Sequence, residues 1–289
     1  MGQRSQEHHG QTEIMESFKT RDRMKKNKDL EGQVALVTGA ARGLGKAISL
    51  SLVAGGATVV LADVLHEEGE KVSAEAAGKG SRALFIRCDI RSENDVVAMV
   101  NRTMEEFGHV NILVNNAGVG YTALTWETPT DVWEEIMALN LRGTFLCSKY
   151  VVPHMIQQKS GRIINISSAL GKQAAPLKAA YSASKAGMIA LTVALAKEVA
   201  EYGITVNAVC PGPVETPIWD QRRKALAQLL NVPEGDVVKK IAETEQIIKI
   251  MLKPDDIANV VYWLASCETT KLMTGQAISI DGGQAFPTY

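Results

Sequence analysis

Tyr181 and Lys185, in the stretch YSASK, form the residue pair that points most directly to chemistry. In a helix, residues i and i+4 lie on the same face, so the two side chains would be neighbours. A phenol has an ordinary pKa of about 10, and a nearby ammonium favours the phenolate and lowers that value. The pair can therefore form an acid/base device near neutral pH. Two ordinary residues on a helix show the same spacing, and the pair alone leaves both interpretations open.

A glycine-rich stretch, TGAARGLG at residues 38–45, follows a short apolar run and opens a helical pattern. Gly39, Gly43 and Gly45 allow a tight turn, close backbone approach to a pyrophosphate and close packing of helix on strand. The helix N-terminus adds N–H groups and a dipole that favour phosphate. Glycine turns often only connect elements, but this strand–turn–helix context favours a dinucleotide-binding turn.

Polar residues end three further apolar runs, where ligands bind in parallel-sheet proteins. Asp63 can bind the hydroxyls of an adenosine ribose, or it is a turn residue or the cap of the next helix. Asp89 can accept the adenine amino group, or it caps the helix that begins near Glu93. In NNAG, residues 115–118, Asn115 and Asn116 can tie neighbouring loops together, and Ala117 and Gly118 let a cofactor lie against the backbone.

The elements that must position these residues follow a regular alternation from about residue 30 onward. Short runs rich in Val and Ile, apolar on both faces as buried parallel strands are, alternate with amphipathic stretches. This pattern predicts an α/β fold, a single doubly wound Rossmann-type parallel sheet of about seven strands with helices on both faces. The predicted strands cover 34–38, 58–62, 83–87, 111–115, 162–167, 205–209 and 277–280. The predicted helices are Leu44–Ala54, Glu67–Ala77, Glu93–Phe107, Val132–Gln157, Ala180–Tyr202 and Asp255–Ala265.

Composition narrows the function classes. The formal net charge of −1 and the 5% aromatic content give no electrostatic or stacking case for nucleic-acid binding. The four cysteines and five histidines are scattered without metal-ligand spacing, so no metal site is expected. The sequence contains no GxSxG motif, so nothing indicates a serine hydrolase.

Residues 1–29 are polar and lack the apolar core of a secretory signal, and they are interpreted as a weakly ordered extension. No apolar stretch long enough for a membrane span is evident, and a cytoplasmic protein without membrane partners is expected.

The motifs together resemble the short-chain dehydrogenase/reductase family over roughly residues 30–285. The matching stretches are TGAARGLG (38–45), NNAG (115–118), the Asn in ALNLRGTF (138–145), ISS (166–168), YSASK (181–185) and PGPVET (211–216). Each is modest alone, but their order and spacing are specific. The resemblance implies a Rossmann-type domain, a nicotinamide cofactor and reversible oxidation of a small-molecule alcohol to a ketone.

The resemblance also assigns the catalytic residues. Tyr181 is expected to be the general acid/base, and Lys185 to lower its pKa and hold the nicotinamide ribose. Ser168, thirteen residues before the tyrosine, is expected to hydrogen-bond the substrate oxygen, with Ser167 the less favoured candidate. Asn140, an amide inside a predicted long helix where it fits poorly, is expected to bind a water of the proton relay.

The expected cofactor is NAD. The residues expected to bind it are Gly39, Arg42, Gly43, Leu44, Gly45, Asp63, Asp89, Ile90, Asn116, Ala117, Gly118, Tyr181, Lys185, Pro211, Gly212, Val214 and Thr216. Two of them act in opposite directions on cofactor choice. Arg42 can reach a 2′-phosphate and favour NADP, whereas a carboxylate at Asp63 can take both ribose hydroxyls of NAD and repel that phosphate. Val64 follows, so no cation comes directly after Asp63, and NAD is expected to be preferred.

Two other functions stay open. One is a non-catalytic dinucleotide-binding sensor or scaffold, which the complete set of four catalytic residues disfavours. The other is an epimerase or dehydratase of the extended relatives, which the compact length and the form of the glycine turn disfavour. The substrate pocket is expected to use 169–178, 213–219 and the segment before Pro254.

Residues 218–252 are interpreted as a long helical insertion, similar to the substrate lid of the family. Similar lids cover polyol, diol, sugar-acid and hydroxyacid sites, while apolar residues such as Leu170 and Trp219 keep a steroid or terpenoid open. The family resemblance also implies a homotetramer formed through Val132–Gln157, Ala180–Tyr202 and the C-terminal segment. Apolar residues on the second of these helices, Met188, Leu191, Leu195 and Val199, are candidates for that contact.

Overall fold

A seven-stranded, wholly parallel sheet forms the centre of the protein. The structure is a computed structural model and describes residues 27–216, 227–228 and 231–285. The strand order is β3-β2-β1-β4-β5-β6-β7, as expected for a doubly wound Rossmann-type fold. The strands are β1 (Val34–Thr38), β2 (Thr58–Asp63), β3 (Ala83–Arg87), β4 (Ile112–Asn115), β5 (Gly161–Ile166), β6 (Ile204–Pro211) and β7 (Ala277–Ile280).

Helices cover both faces of the sheet, which is why its strands are apolar on both sides. Alternate residues of β1 enter separate cores: Ala35 and Val37 face one, Val34 and Leu36 the other. The α-helices are α1 (Gly43–Ala54), α2 (His66–Ala77), α3 (Glu93–Phe107), α4 (Thr130–Ile136), α5 (Gly143–Gln158), α6 (Ala179–Val199), α7 (Val237–Glu245) and α8 (Pro254–Ser266). Helices α1, α2 and α8 contribute to the first core, and α3, α5 and α6 to the second. The predicted fold class is confirmed.

The strand order reverses next to β1, which pairs with β2 on one side and β4 on the other. The chain therefore leaves β1 and β4 in opposite directions, and a crevice opens at their carboxyl ends. The glycine turn follows β1, and NNAG begins at the last residue of β4. The fold thus brings these two motifs together at one edge of the sheet.

The predicted helix Val132–Gln157 is interrupted in the structure. It consists of α4, a π-helical segment Met137–Arg142 and α5. The predicted range is therefore helical throughout, but it is not one continuous α-helix. A π-helical turn inserts a residue into the helix, and such turns occur frequently at functional sites. Asn140 lies in this segment. A hydrophobic pattern that repeats every 3.6 residues cannot reveal such a turn, although the amide of Asn140 inside a predicted helix gave an indirect signal.

The described part of the insertion predicted at 218–252, residues 227–228 and 231–252, is only partly helical. Among its described residues, α7 and a short 3₁₀ turn at Glu234–Asp236 are followed by a non-helical segment, 246–252. This segment is tied down by backbone hydrogen bonds at both ends: Ile248 N donates to Gly282 O, and Leu252 N to Pro213 O. Trp219 and its neighbours at 217–226 lie outside the described residues.

The first described residues contact the body of the domain. The Tyr262 hydroxyl of α8 donates to the carboxylate of Asp29 at 2.7 Å, and the carbonyl oxygen of Asn27 lies 3.0 Å from the same hydroxyl. Leu30 is fully buried in the first core. Residues 27–29, which were expected to belong to the weakly ordered N-terminal extension, therefore lie against α8.

One stretch of the described residues, Ala179–Tyr202, is long and apolar enough to cross a membrane by length and composition. It comprises α6 and the 3₁₀ turn that follows, and it includes Tyr181 and Lys185. Residues along it, such as Met188 and Val199, are fully or almost fully buried inside the protein. Its hydropathy is therefore that of a helix packed on the core of a sheet.

Candidate active site

The glycine turn after β1 brings the backbone of two strand ends into direct contact. Gly39 has a φ of +64°, and a Cβ placed there would lie 2.7 Å from the Cα of Ala117. A Cβ on Gly45 would lie 2.0 Å from the carbonyl oxygen of Gly39. Gly43, with a φ of +53°, begins α1. Gly39 and Gly45 have no room for a side chain, and the φ of Gly43 favours glycine. The N-terminus of α1 follows this turn directly.

Thr38 and Asn116 hold the turn against β4. The Thr38 hydroxyl accepts hydrogen bonds from the backbone N–H groups of Asn116 and Ala117, each at 3.1 Å. The Asn116 amide donates to the carbonyls of Thr38 at 2.9 Å and Gly39 at 3.0 Å. The predicted loop-tying role of Asn116 is thus observed. Thr38 was not predicted, and a hydroxyl at the last strand position before the turn is the signal that could have identified it.

Asp63 ends β2 and also belongs to the turn. Its carboxylate accepts from the backbone N–H of Ala41 at 3.0 Å and of Leu65 at 3.1 Å. Leu65, not Asp63, is the N-cap of α2, so capping is excluded and the turn interpretation is correct. Arg42, exposed at the N-cap of α1, directly follows Ala41. The two residues that are expected to have opposite effects on cofactor choice therefore lie at the same turn.

Asp89 does not cap α3. Ser92 is the N-cap, and its hydroxyl accepts from Asp95 N. The carboxylate of Asp89 binds the guanidinium of Arg91 at 2.7 Å, and these hydrogen bonds hold the pKa of Asp89 below its ordinary value. The capping alternative is wrong because a serine three residues further on occupies the position. An adenine contact by Asp89 stays a prediction.

Ile90, next to Asp89, packs against Gly143 at the start of α5. A Cβ on Gly143 would lie 2.6 Å from the Ile90 side chain, so the glycine makes room for it. Gly143 was not singled out in the sequence. A glycine inside a predicted helix, where glycine is unfavourable, was the available signal.

Asn140 joins the π-helical segment to the loop after β4 and to α6. Its side-chain oxygen accepts from Val119 N at 2.9 Å, and its amide donates to Val119 O at 2.8 Å and to Ser184 Oγ at 3.0 Å. It is fully buried. The amide therefore fixes the loop that passes in front of α6.

Lys185 is a buried cation at the centre of the site. Its Nζ donates to the carbonyl of Ile166 at 2.7 Å, and the side chain is 4% exposed. A Cβ on Gly118 would lie 3.4 Å from this Nζ and 3.1 Å from Asn140 Oδ1, so both side chains reach the same point of the backbone. Burial lowers the pKa of Lys185 to about 8. The ammonium lies 5.8 Å from the centre of the Tyr181 ring.

The two serines after β5 have different roles. Ser167 Oγ donates to the backbone carbonyl of Lys185 at 2.9 Å, which makes it a structural tie between β5 and α6. Ser168 Oγ accepts from Leu170 N at 3.1 Å, and an acceptor hydroxyl still has its proton to donate. The preference for Ser168 over Ser167 therefore agrees with the geometry.

Tyr181 lies half-buried in the first turns of α6. Its ring faces Gly120, where a Cβ would lie 3.2 Å from the ring edge. The loop 118–123 thus runs along the start of α6 and forms one wall of the site. The tyrosine presents its ring to this loop and lies one turn from the ammonium of Lys185.

The loop after β6 closes the other side. Gly212 N donates to Ile280 O at 3.0 Å, and a Cβ on Gly212 would lie 2.8 Å from the Cα of Asp281. Val214 pairs with Leu252 in an isolated bridge. Pro211 is the last residue of β6, and Thr216 is the last described residue before the gap.

The described residues fit a nicotinamide dinucleotide. A cradle of glycine backbone at a helix N-terminus suits a pyrophosphate, and Asp63 stands where an adenosine ribose would follow. Within residues 27–216, 227–228 and 231–285, no group of three or more His, Cys, Asp or Glu is arranged to hold a metal. The arrangement can position a dinucleotide and move a proton to or from an oxygen placed between Ser168 and Tyr181.

Comparison with known proteins points to one family. The short chain dehydrogenase family profile matches residues 33–227. A short-chain dehydrogenase/reductase from Armillaria gallica is 40% identical over 89% of this chain and 97% of its own. A 3-oxoacyl-(acyl-carrier-protein) reductase from Thermotoga maritima is 37% identical over 88% of this chain and 98% of its own. The crystal structure of a variant of actinorhodin polyketide ketoreductase with NADPH superposes with a TM-score of 0.83 at 35% identity, covering 90% of this chain and 98% of that one.

Proposed function

The chain belongs to the short-chain dehydrogenase family and is an oxidoreductase of that class, and we propose that it transfers a hydride between NAD(H) and a secondary alcohol or its ketone. The observation that carries this proposal is the convergence of Asn140, Tyr181 and Lys185 on the loop 118–120. Ser168 joins them from the end of β5. A dinucleotide held at the glycine turn supplies or accepts the hydride.

The proton is the part of the reaction that the chain's own residues handle. The Tyr181 hydroxyl donates its proton to a ketone oxygen during reduction and accepts one from an alcohol during oxidation. Ser168 donates a hydrogen bond to the same oxygen, which fixes its position and stabilises developing negative charge. Asn140 holds the loop against which the tyrosine ring rests.

Lys185 makes the tyrosine a better acid. An ammonium one helical turn away favours the phenolate, and the buried setting strengthens that interaction because water screens it poorly. Its own pKa of about 8 leaves it mostly protonated near neutral pH. The hydrogen bond to Ile166 O keeps the ammonium in place.

NAD is proposed as the preferred cofactor because of Asp63. A carboxylate at the end of β2 matches two ribose hydroxyls, whereas a 2′-phosphate there would face a like charge. Hydrogen bonds from Ala41 and Leu65 hold the carboxylate in place, which supports a fixed negative charge at this point. The related ketoreductase structure contains NADPH, so the cofactor is a property to be measured on this chain.

The substrate class is proposed from the family resemblance. A polyol, diol, sugar acid or hydroxyacid is proposed, because similar insertions cover sites for these compounds in the family; part of the insertion, at 218–226 and 229–230, lies outside the described residues. A steroid or terpenoid is the apolar alternative. The cytoplasm is the proposed location, and no nucleic-acid or membrane partner is proposed.

A homotetramer is proposed from the family resemblance, and an apolar groove is proposed as one of its subunit contacts. Phe145, 47% exposed on α5, lines it with Met137, Leu141 and Leu191. Met188 and Val199, which the sequence suggested for subunit contact, are instead buried in the protein. An exposed apolar groove between the segment Met137–Arg142, α5 and α6 suits contact with a second copy of the chain.

A panel of secondary alcohols and ketones, assayed with NAD(H) and NADP(H) by nicotinamide absorbance, tests the proposal. Turnover with NAD(H) is expected for at least one pair, and it would exclude a non-catalytic sensor or scaffold. A net change in cofactor redox state would separate oxidoreduction from epimerisation. Dinucleotide binding without turnover of any compound would instead favour the scaffold.

A further inference from the structure

Asp89 is the acidic residue at the strand end next to the proposed ribose site. Strand β3 pairs with β2, with Arg87 opposite Asp63, and Cys88 N donates to Asp63 O at 3.0 Å. Asp89 follows Cys88, so it lies at the same edge of the sheet as Asp63, one strand further out. If the ribose is held at Asp63, as proposed, the purine base is expected on the side of Asp89.

The carboxylate of Asp89 is already bound at both oxygens by Arg91. Its Oδ1 accepts from the backbone N–H of Arg91 at 3.0 Å and from Nε at 2.9 Å. Its Oδ2 accepts from Nη2 at 2.7 Å and shares the Nε donor at 3.1 Å. A carboxylate has about four lone-pair sites, two on each oxygen. The carboxylate is therefore turned toward its own loop and has little capacity left for the amino group of adenine.

Arg91 is held in place by two further contacts. Its Nη1 donates to the carboxylate of Glu135 on α4 at 3.1 Å. Its backbone carbonyl accepts from Arg142 Nη1 at 2.7 Å. Exposed ion pairs are usually weak, because ordering two long side chains costs conformational entropy. These contacts order Arg91 in any case, so the pair with Asp89 bears less of that cost.

The number and charge of the donors favour Arg91 over adenine as the partner of Asp89. An adenine amino group offers the carboxylate one hydrogen bond from a neutral donor. The guanidinium offers two parallel hydrogen bonds and an opposite charge. Displacing it would also leave that side of the guanidinium without its acceptor. A bound dinucleotide is therefore expected to leave the pair of Asp89 and Arg91 intact.

We infer that Arg91 is a specificity-determining residue of the cofactor site: it occupies Asp89, so that the protein does not select for the 6-amino group of the purine and binds dinucleotides of 6-oxo purines, such as hypoxanthine, as readily as those of adenine. The inference rests on the proposed dinucleotide-dependent function and concerns only the base. In the wild type, the adenine contact expected of Asp89 then contributes little to affinity.

The test compares NADH with reduced nicotinamide hypoxanthine dinucleotide. In this analogue an oxygen replaces the 6-amino group and N1 carries a proton, while the phosphates, riboses and nicotinamide are the same. Fluorescence of the reduced nicotinamide measures binding of each without turnover. The Kd values of the wild-type protein are expected to agree within roughly threefold, at the bottom of the range for one hydrogen bond.

Variants assign this lack of selectivity to Arg91. Arg91→Met frees the carboxylate of Asp89, so NADH should bind about 10-fold or more tightly than the analogue, as expected for a hydrogen bond to a charged group. Combining Arg91→Met with Asp89→Ala should return the ratio to its wild-type value, which identifies the carboxylate as the cause.

Arg102→Met is the matched control. Arg102 is an exposed arginine of α3 that pairs with Glu105 and Glu106, so the substitution removes the same charge without freeing Asp89. It should leave the ratio of the two Kd values unchanged. Thermal unfolding checks that each variant is folded.

Three results would overturn the inference and leave the dinucleotide-dependent function standing. A wild-type preference for NADH beyond roughly threefold would show that the amino group is recognised despite Arg91. An unchanged ratio in Arg91→Met would show that Arg91 does not control selectivity. A preference that persists in the double variant would assign it to a group other than Asp89. Absence of binding of both dinucleotides to the wild type would instead overturn the inference together with the proposed function.

Discussion

At the scale of single residues, the buried ammonium of Lys185 produces a pH dependence of stability. Burial lowers its pKa from 10.5 to about 8, so in this window the unfolded chain holds a proton that the folded protein has released. Stability from this group therefore rises with pH between those values. We expect the free energy of unfolding of wild type, relative to Lys185→Met, to increase by about 3 kcal/mol at most across the window.

Urea denaturation of the two cofactor-free proteins, at about pH 7.5 and about pH 9.5, measures this difference. Other titrating groups are common to both proteins and cancel in the comparison. A difference that stays constant with pH would mean that the ammonium is as well solvated in the folded protein as in the unfolded chain.

Asp63 is the residue that should set cofactor choice. Its carboxylate and a 2′-phosphate at about 4 Å would repel by on the order of 4 kcal/mol per unit charge, at an effective dielectric constant near 20 and before screening. Asp63→Ser is therefore expected to raise the affinity for NADPH relative to NADH, with Arg42 available for the phosphate. Fluorescence titration with both cofactors measures the ratio.

Asp89→Ser is the matched control, because it removes a carboxylate from the end of the neighbouring strand. An adenine contact is common to both cofactors, so this variant should leave their ratio unchanged. Tighter binding of NADPH than NADH by the wild-type protein would refute the placement of Asp63 at the ribose.

At the scale of elements, the glycine turn between β1 and α1 depends on contacts that no other residue allows. A Cβ on Gly45 would lie 2.0 Å from Gly39 O, so Gly45→Ala must displace the turn. Overpacking of this kind costs about 1–3 kcal/mol. We expect a lower melting temperature and weaker dinucleotide binding, measured by thermal unfolding and NADH titration.

Gly78→Ala provides the comparison at the C-terminus of α2. A Cβ added at Gly78 would have the carbonyl oxygen of Ala74, at 3.5 Å, as its nearest neighbour, which is an ordinary contact distance. The φ of −60° at this position also suits alanine. This variant should bind cofactor as the wild type does. Equal behaviour of the two variants would show that the turn is not the dinucleotide-binding element.

The elements also show where sequence reasoning succeeds and where it stops. Hydrophobic runs predicted all seven strands, because a sheet buried on both faces leaves continuous apolar segments. The interruption at Met137–Arg142 was not predicted, since one extra residue barely alters a helical pattern. Ser92 and Asp89 are both good capping types, and the sequence alone does not show which one the chain places at the first turn.

Site residues were predictable to the extent that their spacing is local. Tyr181 and Lys185 share one helix, and their proximity follows from helix geometry. The contact of Asn140 with Val119 joins segments that only the folded chain brings together. The tie from Thr38 to Asn116 is of the same kind. Family resemblance supplied Asn140. The strand-end hydroxyl of Thr38 and the position of Gly143 inside a predicted helix are signals, but both are common features, and neither was used to single the residue out.

At the scale of the whole molecule, the apolar groove at Phe145 should mediate assembly. Phe145→Glu places a charge in this groove and is expected to reduce a tetramer to smaller species, because removing a carboxylate from water in a largely apolar contact is costly. Light scattering at micromolar concentration measures the mass. Trp126→Glu is the control, since Trp126 is 80% exposed in a 3₁₀ turn, apart from the groove. A monomeric wild-type protein would contradict the proposed assembly.

The central claim concerns the whole catalytic arrangement and depends most directly on Tyr181. Tyr181→Phe removes only the hydroxyl, so the fold and dinucleotide binding should persist, as thermal unfolding and NADH titration would verify. Turnover of an alcohol or ketone accepted by the wild type should fall by about 10²- to 10⁴-fold, the usual contribution of acid/base transfer. Near-normal turnover by a correctly folded, cofactor-binding Tyr181→Phe protein would contradict the account.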